Sequence, residues 1–377
     1  MTAVERLQSM LATLDSRQRL RVLSARCGLD FASNDYLGLT QSQMLAGAAR
    51  AALDRGVPLG SGGSRLLRGN HPEHEALEQE AAAFFGAEAA LFMGGGFQAN
   101  QAIFSALPAA GDLVLHDALV HASAHDGMRT GRAEARSFAH NNVADARRVL
   151  AGWHATGGSG QIWIAVESVY SMEGDIAPLD GLSALARDYD AILIVDEAHA
   201  TGVFGPQGKG LAYGLKADLL TLHTCGKGLG ASGGLICGPK VMIETLINRA
   251  RPFIFATAPS PFSAALVRAA LGLLQSDAHR VQAAEARIRH AHAEARRHGV
   301  AHVALHSQII PVILGDDATT MAAAAALQAQ GFDVRGIRPP TIPRGTSRLR
   351  ISITGNVSTA DITALFKAVA ALQREAA

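Results

Sequence analysis

The chain of 377 residues has few cysteines, a net charge close to zero and no long apolar segment. Three cysteines, Cys27, Cys225 and Cys237, do not make a disulfide framework, and the odd count fits a reducing compartment. A formal charge of +1 does not favour nucleic acid or an anionic membrane surface as a partner. The N-terminus lacks an apolar signal core, and no apolar run is long enough to cross a bilayer. We therefore expect a soluble cytoplasmic protein.

Apolar residues make up 48% of the chain, which indicates a folded globular protein with two or three structural units. Between about residues 45 and 260, short apolar runs alternate with helical patterns such as residues 72–85 and 178–189. This alternation predicts an α/β fold with a mostly parallel sheet between helices, and ligands at the carboxyl ends of its strands. The strand candidates are residues 89–93, 113–115, 162–166, 192–195 and 234–237.

The two ends of the chain have different patterns. Residues 1–26 are charged and carry apolar positions at helical spacing. After residue 262, a helical stretch over 263–298 leads into a smaller α+β unit with strand candidates at 308–314, 333–336 and 348–354. We predict three regions: an N-terminal arm (1–45), a large domain (46–262) and a small C-terminal α+β domain (263–377).

Lys227 has the most informative surroundings of any residue in the chain. It lies among small residues in 222–230 (LHTCGKGLG), where a surface charge is a poor explanation. Thr224 precedes it by three positions, and Asp196 ends a strand-like apolar run earlier in the chain. This combination is typical of a lysine that forms a Schiff base, and it predicts pyridoxal 5'-phosphate (PLP) as the cofactor.

Two interpretations of Asp196 carry equal weight. A buried carboxylate needs a partner, and a protonated pyridine nitrogen is one that would let the ring accept electrons. The alternative is an aspartate that caps the following helix. Residues 196–199 (DEAH) also spell the acidic box of a helicase group, but that function requires a G-x-x-x-x-G-K-[ST] loop, and glycine follows both Lys209 and Lys227. An ATPase is therefore excluded.

A glycine run and several histidines add candidate contacts. The run at 94–96 follows a strand and opens a helix, so its backbone could bind phosphate, although most such turns serve backbone geometry alone. His121 and His125 have the i, i+4 spacing of a metal pair, but Ala122 stands where a metalloprotease would have glutamate. Stacking on a pyridine ring is the alternative for His121. His199 is either a loop histidine or a ligand of the PLP phenolic oxygen.

Arginines cluster near the C-terminus. Arg350 lies in a strand-like alternation at 348–353 and could bind a substrate carboxylate through a bidentate pair. We interpret Arg344 and Arg348 as ordinary solvated charges.

Together these features resemble the α-oxoamine synthases, PLP-dependent transferases of fold type I, over nearly the whole chain. The matching segments are 31–39 (FASNDYLGL), 60–71 (GSGGSRLLRGNH), 168–175 (SVYSMEGD), 196–199 (DEAH), 224–228 (TCGKG) and 336–343 (GIRPPTIP). The last of these, with 253–258 (FIFATA), favours the branch that serves biotin biosynthesis. Glu173 and Glu197 depart from the family pattern, in which aspartate is common.

The resemblance implies a role for each candidate residue. It assigns the catalytic roles to Lys227, His121 and Asp196. The implied cofactor contacts are Gly96, Phe97 and Thr224 at the phosphate, Ser171 and His199 near the ring hydroxyl, Asp196 at the ring nitrogen and Lys227 at the aldehyde carbon. The implied substrate contacts are Arg21 (or the neighbouring Arg19), His121, Arg338, Thr341 and Arg350. No metal is expected.

The implied reaction is the decarboxylative condensation of L-alanine with a pimeloyl thioester of coenzyme A or of acyl carrier protein. Two alternatives remain: a related acyltransferase that uses glycine and acetyl-CoA, and a non-catalytic relative that binds a partner. The resemblance also implies a homodimer with the active site at the interface, where Thr257 of the second subunit would contact the phosphate.

Overall fold

The structure, a computed structural model, describes residues 1–17, 19–23 and 25–375. Residues 18 and 24 of the predicted N-terminal arm therefore lie outside the described residues. The chain forms two compact units that are discontinuous in sequence. The small unit contains Met1–Ser33, Met172–Asp175 and Ala286–Ala377, and the large unit contains Asn34–Ser171 and Ile176–Glu285. The predicted domain boundaries after residues 45 and 262 stay predictions.

Thirteen α-helices and twelve strands are described. The helices are α1 (Ala3–Ser16), α2 (Gln43–Asp54), α3 (Pro72–Phe85), α4 (Gly96–Ala106), α5 (Ala122–Thr130), α6 (Val143–Ala155), α7 (Leu179–Asp188), α8 (Lys240–Arg249), α9 (Arg251–Ile254), α10 (Pro261–Ser276), α11 (Ala278–Arg297), α12 (Asp317–Ala329) and α13 (Thr359–Glu375). The strands are β1 (Leu29–Asp30), β2 (Ala89–Met93), β3 (Leu113–Asp117), β4 (Glu134–Phe138), β5 (Ile162–Glu167), β6 (Ile192–Asp196), β7 (Asp218–Thr224), β8 (Gly234–Gly238), β9 (Ile309–Gly315), β10 (Phe332–Asp333), β11 (Arg335–Ile337) and β12 (Ser347–Ser352).

The large unit is built on a seven-stranded sheet of order β2-β8-β7-β6-β5-β3-β4. Neighbouring strands from β7 to β4 are parallel, whereas β8 is antiparallel to both β2 and β7. The predicted mostly parallel sheet is thus confirmed. Because the strands from β3 to β7 run in one direction, the residues that end them, including Glu167, Asp196 and Thr224, meet at the same edge of the sheet.

Buried apolar clusters cover both faces of this sheet. Ile194 of β6 packs in a cluster with α4, whereas its neighbours Leu193 and Val195 pack in a second cluster with α6 and α7. Successive side chains of a strand point to opposite faces, so a strand covered on both sides must be apolar throughout. This explains the continuous apolar run that precedes Asp196.

Local signals set the bounds of α3, which matches the predicted helix at both ends. Pro72 occupies the first turn, the His71 side chain accepts the Glu73 N–H, and Glu73 lies near the positive end of the helix dipole. Gly86 then ends the helix in the left-handed conformation, with φ of 72°, where glycine carries no steric penalty.

Several elements differ from those expected from the sequence. Strands β1, β4 and β7 are not among the strand candidates, and the candidate at 333–336 is two strands, β10 and β11. The single helical stretch over residues 263–298 is two helices, α10 and α11, because Asp277 adopts a non-helical conformation with φ of −130° and ψ of 79°.

The small unit is α+β, as predicted. Its antiparallel sheet has the order β11-β12-β9, and β1 pairs in parallel with β10. Helices α12 and α13 contribute Leu327 and Phe366 to a core with Ile310 and Ile351. Every side chain of α1 stays at least partly exposed. Among the described residues, no helix has both the length and the apolar character needed to cross a membrane.

Candidate active site

Lys227 lies at the start of a hydrogen-bonded chain in the large unit. Its Nζ is 3.0 Å from Nε2 of His199, whose Nδ1 is 2.6 Å from the hydroxyl of Tyr36. The Tyr36 hydroxyl donates to Oδ1 of Asn34 at 2.9 Å. An ammonium group has only donors, so a charged Lys227 donates to Nε2 and His199 carries its proton on Nδ1. The chain therefore fixes the orientation of the His199 ring beside the lysine.

Asp196 makes contacts that fit both of its predicted roles. Its Oδ1 accepts the backbone N–H of Ala198 at 2.9 Å, which is the local turn contact of a capping aspartate. Its Oδ2 accepts Nδ2 of Asn100 at 2.8 Å, and the same amide donates to the Ser123 hydroxyl at 2.9 Å. The turn and α4 thus hold the carboxylate at the strand end from two sides.

His121 caps the start of α5 and is held in one tautomer. Its Nδ1 accepts the backbone N–H of Ser123 at 3.2 Å and lies 2.8 Å from the Ser123 hydroxyl. A backbone N–H can only donate, so the neutral ring carries its proton on Nε2. The protein atoms packed around the ring desolvate it and lower the pKa of His121, although the residue keeps an exposed surface; the Asp196 carboxylate opposes this shift and Lys227 adds to it. The ring is therefore neutral at pH 7.

The metal interpretation of the histidines finds no support in the described part of the chain. His125 stands edge-on to His116, with ring centroids 5.0 Å apart. No group of three or more His, Cys, Asp or Glu side chains among the described residues is arranged to hold a metal ion.

The N-terminus of α4 meets the end of β7. Gly95 precedes this helix, and no side chain of the described residues caps its free backbone N–H groups. A Cβ atom on Gly96 would lie 2.3 Å from Oγ1 of Thr224, so glycine is required for this close approach. Phe97 follows and packs edge-to-face with His121 at a centroid distance of 6.4 Å. Uncapped N–H groups, a hydroxyl and the positive helix end form a cradle suited to a phosphate group.

These features fit PLP. The site offers an amine for the aldehyde carbon, a carboxylate for the ring nitrogen, a flat neutral imidazole and a phosphate cradle. Lys227, Asp196, His121, His199, Gly96, Phe97 and Thr224 all contribute to this arrangement in the large unit, together with Ser171, whose backbone N–H donates to Oε2 of Glu167 at 3.1 Å.

Several residues of the site had no predicted role. Asn100 and Ser123 connect Asp196 to His121, and Tyr36 and Asn34 extend the chain from His199. Each stands in a segment with a motif, yet its partner lies far away in sequence. The sequence does contain one indication of a role for Asn100: it is a hydrogen-bonding side chain one turn inside the helix that follows the glycine run.

Glu167 is a further residue that sequence reasoning missed. It ends β5 and lies opposite Asp196 in the register of β5 with β6. Burial and the charge of Asp196 raise the pKa of Glu167 to about 8, while Lys227 and the Ser171 N–H oppose that shift.

The predicted substrate residues other than His121 lie in the small unit. Nη2 of Arg21 donates to the Thr341 hydroxyl at 3.1 Å, whereas Arg19 pairs with Asp317 at 2.8 Å. Arg350 is 7% exposed on β12 and donates to the Ser352 hydroxyl at 2.8 Å. Arg338, after β11, is partly exposed. The structure thus joins Arg21, rather than Arg19, to Thr341.

The prediction of Arg348 as a solvated charge is wrong. Its side chain is buried, forms an ion pair with Glu173 at 2.5 Å and donates to the carbonyl of Met172 at 3.2 Å. All six residues of β12 are buried, so this strand has no solvated face. Arg344 is exposed, in keeping with its interpretation.

Comparison with known proteins gives one family and two groups of relatives. The family described as aminotransferase class I and II matches residues 27–369. The chain is 41% identical to the 8-amino-7-oxononanoate synthase of Anaeromyxobacter dehalogenans, over 93% of this chain and 87% of that protein. It is also 41% identical to the Burkholderia thailandensis protein of the same name, over 97% of each.

Among solved structures, a serine palmitoyltransferase from S. paucimobilis with PLP and myriocin bound has a TM-score of 0.89 at 28% identity, covering 100% of this chain and 99% of that one. The 8-amino-7-oxononanoate synthase of Francisella tularensis has a TM-score of 0.77 at 26% identity, covering 93% and 98%.

Proposed function

The chain belongs to the aminotransferase class I and II family, and we propose that within this family it catalyses the 8-amino-7-oxononanoate synthase reaction of biotin biosynthesis. It is a PLP-dependent enzyme of fold type I. The reaction condenses L-alanine with a pimeloyl thioester and releases CO2, free thiol and 8-amino-7-oxononanoate. One observation carries this choice: curated relatives at 39–41% identity over more than nine-tenths of the chain bear that name.

The residues of the large unit divide the cofactor-dependent work. When bound, PLP supplies an electron sink that stabilises negative charge on the α-carbon of the amino acid. Asp196 would pair with the pyridine nitrogen and favour its protonated form, and the neutral ring of His121 would contact the cofactor ring and the substrate. Gly96, Phe97 and Thr224 would hold the phosphate, while Ser171 and His199 would bind at the ring hydroxyl.

Lys227 is the acid and base of the reaction. Its amine would hold the cofactor, and as a free amine it would take the proton from the α-carbon of alanine. Only a neutral amine can accept that proton, so its hydrogen-bond partner must tolerate loss of the charge. His199 does, because a neutral amine can still donate to Nε2. The same amine later returns a proton to the product.

The residues of the small unit are assigned to the substrate. Arg350 binds a carboxylate, for which a guanidinium with two parallel donors is well suited. Thr341 and Arg21, which contact each other, and Arg338 assist. This assignment follows the resemblance of the segments that carry these residues.

A second candidate is a serine palmitoyltransferase activity. Two solved structures of that enzyme cover the whole chain with TM-scores of 0.89 and 0.90, above the 0.77 of the Francisella tularensis synthase. Their sequence identity is lower, at 28% against 41% for the curated synthases. Fold similarity is shared by enzymes of different substrates, so identity favours the first candidate.

Substrate pairing tests the proposal. The purified protein with PLP is assayed with L-alanine and pimeloyl-CoA, L-serine and palmitoyl-CoA, and glycine and acetyl-CoA, with product identified by mass spectrometry. We expect 8-amino-7-oxononanoate from the first pair at a kcat/KM at least about 100-fold above the others. Preference for serine or glycine would contradict the proposal. Replacing the CoA thioester by pimeloyl-acyl carrier protein then identifies the natural donor.

We also propose that the enzyme is a homodimer with Thr257 of each subunit at the partner's phosphate site. Large apolar side chains are exposed on the large unit, with Leu67 at 85%, Leu59 at 70% and Phe255 at 70%. The Ala258 N–H donates to the Gly63 carbonyl, which joins the loops that carry them. Exposed apolar groups of this size are typical of interfaces.

Sedimentation tests the dimer. We expect a mass about twice 39.3 kDa, and a shift towards monomer for Leu67→Glu. Leu53→Glu, at another exposed leucine, should leave the dimer intact. A monomeric wild-type protein would contradict this proposal.

The cytoplasmic location of the protein stays a prediction.

A further inference from the structure

Two carboxyl groups end adjacent parallel strands at the centre of the site. Glu167 ends β5, Asp196 ends β6, and the two residues are partners in the strand register. Glu167 is 3% exposed, so water does not screen its side chain. Like charges placed together in a buried site cannot both be ionised without a large cost in free energy.

The groups that face Glu167 leave little support for a negative charge. Asp196 on β6 and Asp117 on β3 are acidic, and Lys227 is the cation that opposes them. The Ser171 N–H donates to Oε2, but Oε1 is buried without a hydrogen-bond partner among the described residues. An ionised carboxylate with a bare oxygen is costly here, whereas a protonated carboxyl has one oxygen that accepts and one that can donate.

We propose that Glu167 is a positioning residue that carries a proton in the working enzyme. Its neutral carboxyl accepts the Ser171 N–H through Oε2 and so fixes the Ser171 backbone. Because Glu167 is neutral, Asp196 alone carries the negative charge of this pair of residues, and that charge is available to the pyridine nitrogen. The inference rests on the proposed PLP function and adds the protonation state of a residue that acts through Ser171 and Asp196.

Burial raises the pKa of Glu167 to about 8, so the carboxyl holds its proton at pH 7 and releases it in mild alkali. Above that pH a second negative charge appears beside Asp196. We therefore expect the visible absorbance of the bound cofactor to change with a midpoint near pH 8 that belongs to Glu167.

The first test needs no cofactor. Infrared spectra of the apo-protein at pH 7.5 should show the C=O stretch of a protonated carboxyl, which titrates with a midpoint near 8. Glu197 is also buried with a pKa raised to about 7, so it would contribute to the band at pH 7.5. The comparison is therefore made in a Glu197→Gln background, where the band should persist until Glu167→Gln is added. Persistence of the band in the double variant would overturn the proposal.

The second test uses the bound cofactor. Gln is neutral and keeps one acceptor and one donor, so Glu167→Gln should bind PLP within about 2-fold of wild type and lose the absorbance change near pH 8. Glu167→Ala removes the acceptor of the Ser171 N–H and should weaken PLP binding by about 10-fold. If Glu167 were instead ionised, Glu167→Gln would remove a negative charge beside the cofactor. The pH at which the absorbance of the lysine-bound cofactor changes would then shift by about one unit or more, and that result would overturn the proposal.

The two tests separate this inference from the proposed function. A protein that binds no PLP would contradict the proposed function, while the infrared titration would still decide the protonation of Glu167.

Discussion

At the scale of single residues, the site is organised by hydrogen bonds that give each titratable group one orientation. Asn100 is central, because one amide group binds both Asp196 and Ser123, and Ser123 in turn orients His121. The Asp196 carboxylate and the His121 imidazole are therefore connected through α4 and α5. This arrangement places the charge of Asp196 before the cofactor binds.

Asp196→Asn tests the role of that charge. The amide keeps the size of the side chain, so PLP should still bind, but a neutral partner cannot hold the pyridine nitrogen protonated. We expect exchange of the alanine α-proton in deuterated water, followed by NMR, to slow by about 100-fold or more. Asp188→Asn, at an exposed aspartate paired with Arg147, should exchange at the wild-type rate. Unchanged exchange in Asp196→Asn would count against this role.

The sequence shows the residues whose surroundings are unusual in themselves, and it hides those that act through distant neighbours. Lys227 among glycines and Asp196 after an apolar run stand out within a few positions. Asn100 and Glu167 depend on strand order and register, which bring residues 96 and 29 positions apart into proximity. The prediction that Arg348 is a solvated charge failed for the same reason. The alternating pattern of β12 does not reveal that both faces of this strand are covered.

At the scale of elements, the end of β7 and the start of α4 together form the proposed phosphate cradle. Glycine at residue 96 allows the Thr224 hydroxyl to approach the first turn of the helix. The helix supplies N–H groups and a positive dipole end, and the strand supplies the hydroxyl. The proposed phosphate site needs both elements.

Gly96→Ala should damage this cradle. The added methyl group would lie 2.3 Å from Oγ1 of Thr224, so the hydroxyl must move, and we expect PLP affinity to fall by about 10- to 100-fold in titrations of apo-protein. Gly152→Ala is the control, because a Cβ there meets nothing within 4 Å inside α6. That variant should bind PLP normally and gain stability of about 1 kcal/mol. Normal affinity in Gly96→Ala would contradict the cradle.

The buried ion pair of Arg348 with Glu173 stabilises the small unit. Arg348→Met leaves Glu173 without its cation and the Met172 carbonyl without a donor, so we expect a loss of about 1–3 kcal/mol in urea unfolding. Arg147→Met breaks an exposed pair with Asp188 and should cost less than about 1 kcal/mol. If the two variants lost the same free energy of unfolding, the Arg348–Glu173 pair would stabilise the protein no more than the exposed pair does, which would contradict this prediction.

Elements with a strong local signal were predictable, and elements defined by context were not. Helix α3 has a proline start and a glycine stop, and β2 is a compact apolar run. Strand β4 is largely exposed and polar at the sheet edge, so it lacks an apolar pattern. Asp277 breaks a helical pattern that is otherwise continuous in composition.

At the scale of the whole molecule, the fold follows from the alternation of strands and helices, whereas the division into units does not. The four residues Met172–Asp175 belong to the small unit although the chain on both sides of them belongs to the large one. A linear boundary cannot express this. Within the small unit, Arg348 contacts Met172 and Glu173, and the Ser307 hydroxyl donates to the Gly174 carbonyl.

The stability of the molecule should depend on pH through its buried glutamates. Burial raises the folded-state pKa of Glu197 to about 7 from 4.5, although hydrogen bonds from Ser168 and Ala212 oppose the shift. The folded state then binds more protons than the unfolded state between about pH 4.5 and 7, so stability contributed by this group is present below pH 4.5 and is lost as pH rises to 7.

Glu197→Gln removes that dependence. The stability of the variant relative to wild type should rise by on the order of 1 kcal/mol per pH unit between about pH 4.5 and 7, measured by urea unfolding of apo-protein. A constant difference between Glu197→Gln and wild type across this range would refute the raised pKa.

The central claim is that Lys227 carries the PLP and the proton transfers of a carbon–carbon bond-forming reaction. The chain has five lysines, so the point of attachment is decisive. Borohydride reduction of the PLP-loaded enzyme, followed by peptide mass spectrometry, should place the reduced cofactor on Lys227 in wild type and in Lys209→Ala, and on no residue of a folded, inactive Lys227→Ala. Attachment at another lysine, or turnover of alanine and pimeloyl-CoA by Lys227→Ala at a rate comparable to wild type, would contradict it.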